Sequence, residues 1–373
     1  VIFPSRRQIE TVDLLIDPLH GRIERIGSFK LPPSTEVIEA SGLYVAPGFI
    51  DLQVNGGHGV DFASATEGDV QNLTAFFASH GTTGLLATLI TAPIDELHRA
   101  MRTIQRACAS TPGILGVHLE GPFISPRRPG THPVRYIQPP SLAVLASLAE
   151  GFQGLIQLVT LAPELPGAEP LIREINRFAV PALGHTDATY EQAQRALEQG
   201  ARLITHLFNA MRGFHHREPG IVGAALTSPV MVSLIADGLH VHPATLQLAV
   251  RAKGPEQICL VSDAISATGM GDGLWKLGHV EVVVKDGVAR NREGVLAGSL
   301  LTLDRAVKNF LQFTGLDLAA AIRTVTWNPA KLLGLEHRKG ELQEGMDADL
   351  VIFDEHVNVR YTLQGGRIVY ARS

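Results

Sequence analysis

Ala201-Arg202-Leu203-Ile204-Thr205-His206-Leu207-Phe208-Asn209 is a short apolar run that ends on a histidine and an asparagine. A helical pattern over 190–199 precedes it, with Thr189 and Gln192 spaced as a capping box and Gly200 as a stop signal. A strand buried on both faces reads as a continuous apolar run, because neither face meets water. Helix followed by such a strand is one unit of an α/β fold, and the unit recurs along the chain.

Working outward, further apolar runs lie at 48–55, 83–90, 114–121, 155–164, 180–185, 231–240 and 258–264. Helical patterns such as 67–79 and 94–109 separate most of them. Eight repeats across 48–334 predict an α/β fold of the (β/α)8 TIM-barrel type, which typically takes roughly 250 residues. A doubly wound sheet would want a dinucleotide fingerprint after its first strand, and Asn55-Gly56-Gly57-His58-Gly59 does not supply one.

The chain ends have a different rhythm. Segments 9–17 and 21–27 alternate in part or fully, 349–354 is a compact strand, and 360–369 reads as a hairpin turning at Gly365-Gly366. Each end is too small for its own core. We therefore expect 1–46 and 335–373 to join as a small β-sandwich domain, with 47–334 as the barrel domain. A β-hairpin insertion turning at Asp286-Gly287 is expected at about 272–297, before a helix over 303–313.

Bulk properties exclude several functions. The formal net charge is −5 over 373 residues and no basic stripe stands out, which argues against a nucleic-acid or anionic-membrane binder. No run of some 18 apolar residues suggests a membrane span. The start, at Val1 and not Met, shows no charged-then-apolar leader and leaves open what precedes it. Cys108 and Cys259 sit in apolar segments as expected free thiols, which suits the cytoplasm.

The unusual polar residues gather at the ends of the apolar runs: Gln53 and Asn55, His118 and Glu120, His185 and Asp187, His206 and Asn209, Asp237 and His240, and Asp263. That end of a barrel is where catalytic groups collect. A lone histidine on an apolar strand is more often a satisfied core residue. Glu120, His185 and His206 at three equivalent strand ends instead make a carboxylate-and-two-imidazole ligand set, with an open position for water. One divalent metal is expected. Zinc suits the donors best, and iron, nickel, cobalt or manganese could occupy them. Asp263 is either a loop cap or, beside a metal, a general base. Arg217 could pair with Glu218 or, flanked by histidines, clamp a phosphate or carboxylate. His242, with Pro243, reads as a solvent-facing helix start, and His58, His215 and His216 receive no role.

One absence narrows the chemistry. No lysine occurs between Lys30 and Lys253, so the first seven strands offer neither a Schiff-base nucleophile nor a carboxylated metal bridge. A cysteine nucleophile is also poorly placed, since Cys259 would begin strand eight at the wrong end and Cys108 lies on a helix.

Ala46-Pro47-Gly48-Phe49-Ile50-Asp51 at the barrel entrance resembles the amidohydrolase superfamily. His118-Leu119-Glu120-Gly121-Pro122-Phe123, Gly184-His185-Thr186-Asp187-Ala188, residues 205–211, Arg217-Glu218-Pro219-Gly220, Asp237-Gly238-Leu239-His240 and Ser262-Asp263-Ala264 narrow it further. Together they look like the branch that deacetylates N-acetylated amino-sugar phosphates. The resemblance implies metal-dependent hydrolysis of N-acetyl-D-glucosamine 6-phosphate, or of an epimer such as the galactosamine form; a sugar-phosphate sensor that lost its chemistry is the alternative. It implies Glu120, His185 and His206 as ligands, Asp263 as acid/base, and His132 as the group polarising the acetamide carbonyl. It implies Asn209, Ala210 and His240 as substrate contacts, and Arg217 reaching the phosphate in the neighbouring subunit of a homodimer. Where the superfamily usually has His-x-His, this chain has Gln53-Val54-Asn55. Amides are poor zinc ligands, so we expect one tightly bound metal, with Gln53 and Asn55 supporting it from behind.

Overall fold

A computed structural model describes residues 1–30, 33 and 35–372. Eight parallel strands form one sheet in chain order: strand one Phe49–Val54, two Thr82–Ile90, three Ile114–Glu120, four Ile156–Leu161, five Val180–Leu183, six Leu203–Ile204, seven Met231–Leu234 and eight Ile258–Leu260. Neighbours pair in consistent parallel register, for example Leu119 with Leu89 and Leu203 with Met231. Closure falls between strands eight and one. There Val54 bridges Ala264, the Asn55 N–H donates to Ala264 O at 2.8 Å, and the Asp263 N–H donates to Gln53 O at 2.9 Å.

A helix follows each strand: Glu67–Ala78, Ile94–Cys108, Leu142–Ala149, Ala168–Ile175, Tyr190–Glu198, Gly220–Thr227, Pro243–Lys253 and Leu303–Thr314. Ile94–Cys108 shows how the pattern folds them. Leu97, Ala100, Met101, Ile104 and Ala107 fall on one face and are buried against the sheet. Burying each of the three larger side chains contributes about 1.5–3 kcal/mol. Thr189 and Gln192 form the expected capping box, with Gln192 N–H to Thr189 Oγ1 at 3.3 Å and Thr189 N–H to Gln192 Oε1 at 2.9 Å. Among the described residues no helix is long and apolar enough to cross a membrane.

Both chain ends contribute to an antiparallel sheet outside the barrel, in which Tyr44–Pro47 pairs with Leu350–Phe353, followed by Val359–Gln364 and Arg367–Ala371. Phe3, Ile23, Val45, Leu342, Leu350 and Leu363 form a hydrophobic cluster of their own there. Before helix Leu303–Thr314 a three-stranded sheet intervenes, Gly273–Leu277, Val280–Lys285 and Val288–Asn291, turning at Asp286 and Gly287 with φ of 53° and 73°. The expected hairpin thus gains a third strand.

The strands stop sooner than the apolar runs do. Runs over 180–185, 201–209 and 258–264 become strands ending at Leu183, Ile204 and Leu260. The reason is local: His185, His206 and Asp263 adopt φ of 47°, 30° and 52°, the left-handed region that side chains rarely occupy. The chain leaves the ladder there and turns these side chains into the barrel mouth.

Candidate metal centre and active site

Glu120 closes strand three, and His185 and His206 stand two residues beyond strands five and six. All three are buried. Their ligating atoms converge: Glu120 Oε1 lies 3.0 Å from His185 Nε2 and 2.9 Å from His206 Nε2, and the two Nε2 atoms are 3.1 Å apart. Were both rings protonated at Nε2, two donors would face each other at that distance. His185 avoids this, because its Nδ1–H donates to Arg128 O at 3.2 Å and leaves Nε2 with its lone pair outward. His206 Nδ1 has no hydrogen-bond partner in its buried position. Three electron-rich atoms around one point suit a cation. Ligands about 2.0–2.2 Å from a tetrahedral zinc sit roughly 3.3 Å from each other, close to the spacing found. Among the described residues this trio is the one His/Cys/Asp/Glu group with metal-holding geometry.

Asp263 approaches from the barrel seam. Asn55 Nδ2 donates to its Oδ1 at 2.8 Å, and Gln53 Nε2 donates to the same oxygen and to Glu120 Oε1, each at 3.1 Å. Gln53 therefore bridges the Glu120 and Asp263 carboxylates. Burial and the nearby Glu120 charge push Asp263 up to about 7. Burial also works against ionised Glu120, yet the three imidazoles gathered around it, His132, His185 and His206, outweigh it and hold Glu120 well below the usual range. Two carboxylates in one buried space thus have their proton affinities driven apart.

His132 enters from the loop after strand three, buried, with its Nε2 3.6 Å from Glu120 Oε2 and its ring centroid 4.4 Å from that of His185. Gly130, two residues earlier, takes φ of 56°, and a Cβ on it would lie 3.1 Å from His185 Cε1, so the loop needs glycine to lie this close. His240 is fixed by Asp237: the carboxylate accepts from its Nδ1 at 2.7 Å and from its backbone N–H at 2.8 Å. Burial disfavours charge on His240, but Asp237 outweighs it and raises the pKa.

After His206 the backbone folds tightly, with positive φ at Phe208 and Ala210 (80° and 49°). Asn209 is tied back by Nδ2 donating to His206 O and Leu207 O at 3.2 and 3.3 Å. Among the described residues no acceptor pairs with the Ala210 N–H. Arg217 stands on an exposed loop, its guanidinium 2.9 Å from His216 Nε2 and paired with no carboxylate among the described residues. Glu218 is thus not its partner.

Other histidines take structural places. His118 is fully buried between Thr88 Oγ1 at 3.3 Å and Thr160 Oγ1 at 2.8 Å, and burial lowers its pKa to about 4. His58 is exposed and stacks on Phe76 with ring centroids 5.2 Å apart. His242 caps its helix by accepting from the Ala244 N–H. Asp187 is held by Arg128 and Arg212 at 2.9 and 3.2 Å. Cys259 is buried, which raises its thiol pKa, and it lies in strand eight away from the mouth. Thr91, which follows strand two and contacts His132, is absent from the sequence reading. The signal was present, since Thr91 is one more polar residue at the end of an apolar run.

A parallel (β/α)8 barrel with two imidazoles and a carboxylate converging at its C-terminal mouth defines a metal-dependent hydrolase scaffold. The profile of the Amidohydrolase family matches residues 44–369, and the chain belongs to that family. Its relatives are more particular. A Bos taurus N-acetylglucosamine-6-phosphate deacetylase is 42% identical over 350 residues, spanning 89% of this chain and 85% of that protein. A Lysinibacillus sphaericus protein of the same name is 37% identical, spanning 93% and 91% of the two chains. Among solved structures, the N-acetylglucosamine-6-phosphate deacetylase of Thermotoga maritima superposes with a TM-score of 0.90 at 34% identity, covering 100% of this chain and 98% of that one. The Mycobacterium smegmatis enzyme, an aspartate-to-alanine mutant solved with N-acetyl-D-glucosamine-6-phosphate, gives 0.89 at 35% identity, covering 94% and 93%.

Proposed function

We propose that this chain hydrolyses the N-acetyl amide of N-acetyl-D-glucosamine 6-phosphate, releasing D-glucosamine 6-phosphate and acetate in amino-sugar catabolism or cell-wall sugar recycling. The observation that carries the reading is the convergence of Glu120, His185 and His206 beside Asp263, in a family whose named relatives carry this activity. Glu120, His185 and His206 would hold one divalent ion, most simply zinc. Bound there, it supplies Lewis acidity and lowers the pKa of an adjacent water.

The remaining steps belong to the chain's own side chains. Asp263, with Oδ1 held by Gln53 and Asn55, takes a proton from the attacking water and returns it to the departing amine nitrogen. His132 Nε2, facing the ligand cluster, polarises the acetyl carbonyl and stabilises the tetrahedral oxyanion. His240, steadied by Asp237, holds the sugar. The turn at Asn209 and Ala210 offers an unpaired backbone N–H to the sugar phosphate. Arg217, exposed and free of carboxylates, reaches the phosphate in the neighbouring subunit of a homodimer, and Phe214 beside it, 60% exposed, supports an interface there. Both cysteines are free, which supports a cytoplasmic location. We divide the chain into a barrel domain over 47–334 and a β domain from 1–46 and 335–373.

Acetate release from N-acetylglucosamine 6-phosphate, measured beside its galactosamine epimer and the unphosphorylated sugar, tests the assignment. The glucosamine 6-phosphate substrate should be preferred. Equal rates on the unphosphorylated sugar would remove the phosphate from the recognition scheme.

A further inference from the structure

We propose that Thr91 is a positioning residue that fixes the tautomer of His132, so that the neutral ring presents its N–H at Nε2, toward the reacting carbonyl. The inference rests on the reading of His132 as the group that polarises that carbonyl. A neutral imidazole carries one proton, and only the tautomer with the proton on the substrate-facing nitrogen can donate to a carbonyl oxygen.

Two polar groups of one residue address the other ring nitrogen. Thr91 Oγ1 lies 2.9 Å from His132 Nδ1, and the Thr91 backbone N–H points at the same atom at 3.4 Å. A backbone N–H can only donate. Although the second contact is long, a proton on Nδ1 would set two N–H groups against each other in a buried space. The hydroxyl has an alternative acceptor in Glu120 O, but at 3.3 Å that contact is longer than the one to Nδ1. The backbone N–H therefore favours a lone pair on Nδ1 and a proton on Nε2, and the hydroxyl can donate to that same lone pair. The opposite arrangement, with Nδ1–H donating to Oγ1, would satisfy the hydroxyl and oppose the backbone.

The surroundings are built to this contact. Thr91 is 1% exposed and His132 5% exposed, so solvent does not compete for Nδ1. Gly121, directly after the ligand Glu120, has φ of 92°, and a Cβ there would lie 2.2 Å from Thr91 Oγ1. A glycine next to the ligand thus leaves room for the hydroxyl that orients the histidine. On its other side, Nε2 faces Glu120 Oε2 at 3.6 Å, too far for a strong hydrogen bond, so its proton remains available to a substrate oxygen.

The test uses the zinc-loaded, full-length enzyme with 15N-labelled histidine. The wild-type His132 signals, assigned with a His132→Gln variant, should show a protonated Nε2 and an unprotonated Nδ1. Thr91→Val keeps the shape and removes the hydroxyl. It should move those signals toward a tautomer mixture and lower kcat by about 10-fold or more, with KM changed less than about 3-fold and metal content unchanged. Thr91→Ser should restore both the spectrum and kcat. A wild-type Nδ1–H tautomer, or full kcat in Thr91→Val, overturns the inference. If Thr91→Val fails to fold, the wild-type spectrum still decides. Should the wild-type enzyme release no acetate from N-acetylglucosamine 6-phosphate, the functional reading fails instead.

Discussion

In the proposed mechanism Asp263 concentrates the proton transfers in one side chain. Its Oδ1 accepts from two amides, which anchor the carboxylate, while burial and the charge of Glu120 raise its affinity for a proton. That combination suits a group that must accept a proton and give it up within one turnover. Asp263→Asn should therefore lower kcat by at least about 10²-fold while zinc content, read by elemental analysis, stays at wild-type level. Near-normal acetate release from that variant would remove Asp263 from the acid/base role. Residues of this kind were legible in sequence because a charged group ending an apolar run has no packing reason to be there. Their conformations were not. The left-handed φ at His185, His206 and Asp263 comes from turning a side chain out of a strand into a shared mouth, and no residue type announces it outside glycine and asparagine. Thr91 escaped for a related reason: a threonine just past an apolar run is a weak signal, ordinary in composition, and its 2.9 Å approach to His132 is visible only in the fold.

At the scale of elements, the repeating run-and-helix pattern placed the barrel strands and most helices because continuous apolar strands and periodic helices differ in what they bury. The antiparallel sheet at the chain ends was legible in part; the strand that precedes the hairpin, Gly273–Leu277, was not, being mostly exposed and short of apolar signal. The seam between strands one and eight also stayed hidden, because it depends on pairing across some 200 residues of sequence. Asp51 sits in that seam with no exposure, accepting from the Ser262 N–H at 3.2 and 3.3 Å and from the Gln53 N–H at 3.2 Å. Burial raises its pKa to about 7. In the unfolded chain the carboxyl releases its proton near the ordinary value of about 3.9, so between about pH 4 and 7 the folded state binds more protons than the unfolded one. Asp51 thus helps the fold fully below pH 4 and loses that contribution as the pH rises toward 7. Asp51→Asn cannot ionise. Its melting temperature, compared with wild type at each pH, should rise by a few degrees between pH 4 and 7. A difference that stays constant over that range would place the ionisation of Asp51 elsewhere.

At the scale of the whole molecule, the candidate ligands Glu120, His185 and His206 from strands three, five and six meet Gln53, Asn55 and Asp263 from strands one and eight at one mouth, so the site exists only when the barrel closes. Arg217 breaks this pattern. It projects from the loop after strand six, exposed, touching His216 and no carboxylate. An Arg217 that serves the neighbouring pocket leaves its own subunit with an intact metal site and an intact Asp263. Arg217→Ala should lower kcat/KM on the phosphorylated sugar by about 10- to 100-fold, the usual worth of charge-assisted hydrogen bonds. Its effect on the unphosphorylated sugar should be small. Co-expressing Arg217→Ala chains with Asp263→Asn chains then separates the two geometries. Random pairing makes half the dimers mixed, and each mixed dimer holds one pocket with Asp263 from one chain and Arg217 from the other, so about a quarter of wild-type activity returns. If Arg217 instead acts within its own subunit, no mixed dimer contains a complete pocket, and activity stays at the level of the Arg217→Ala chains alone.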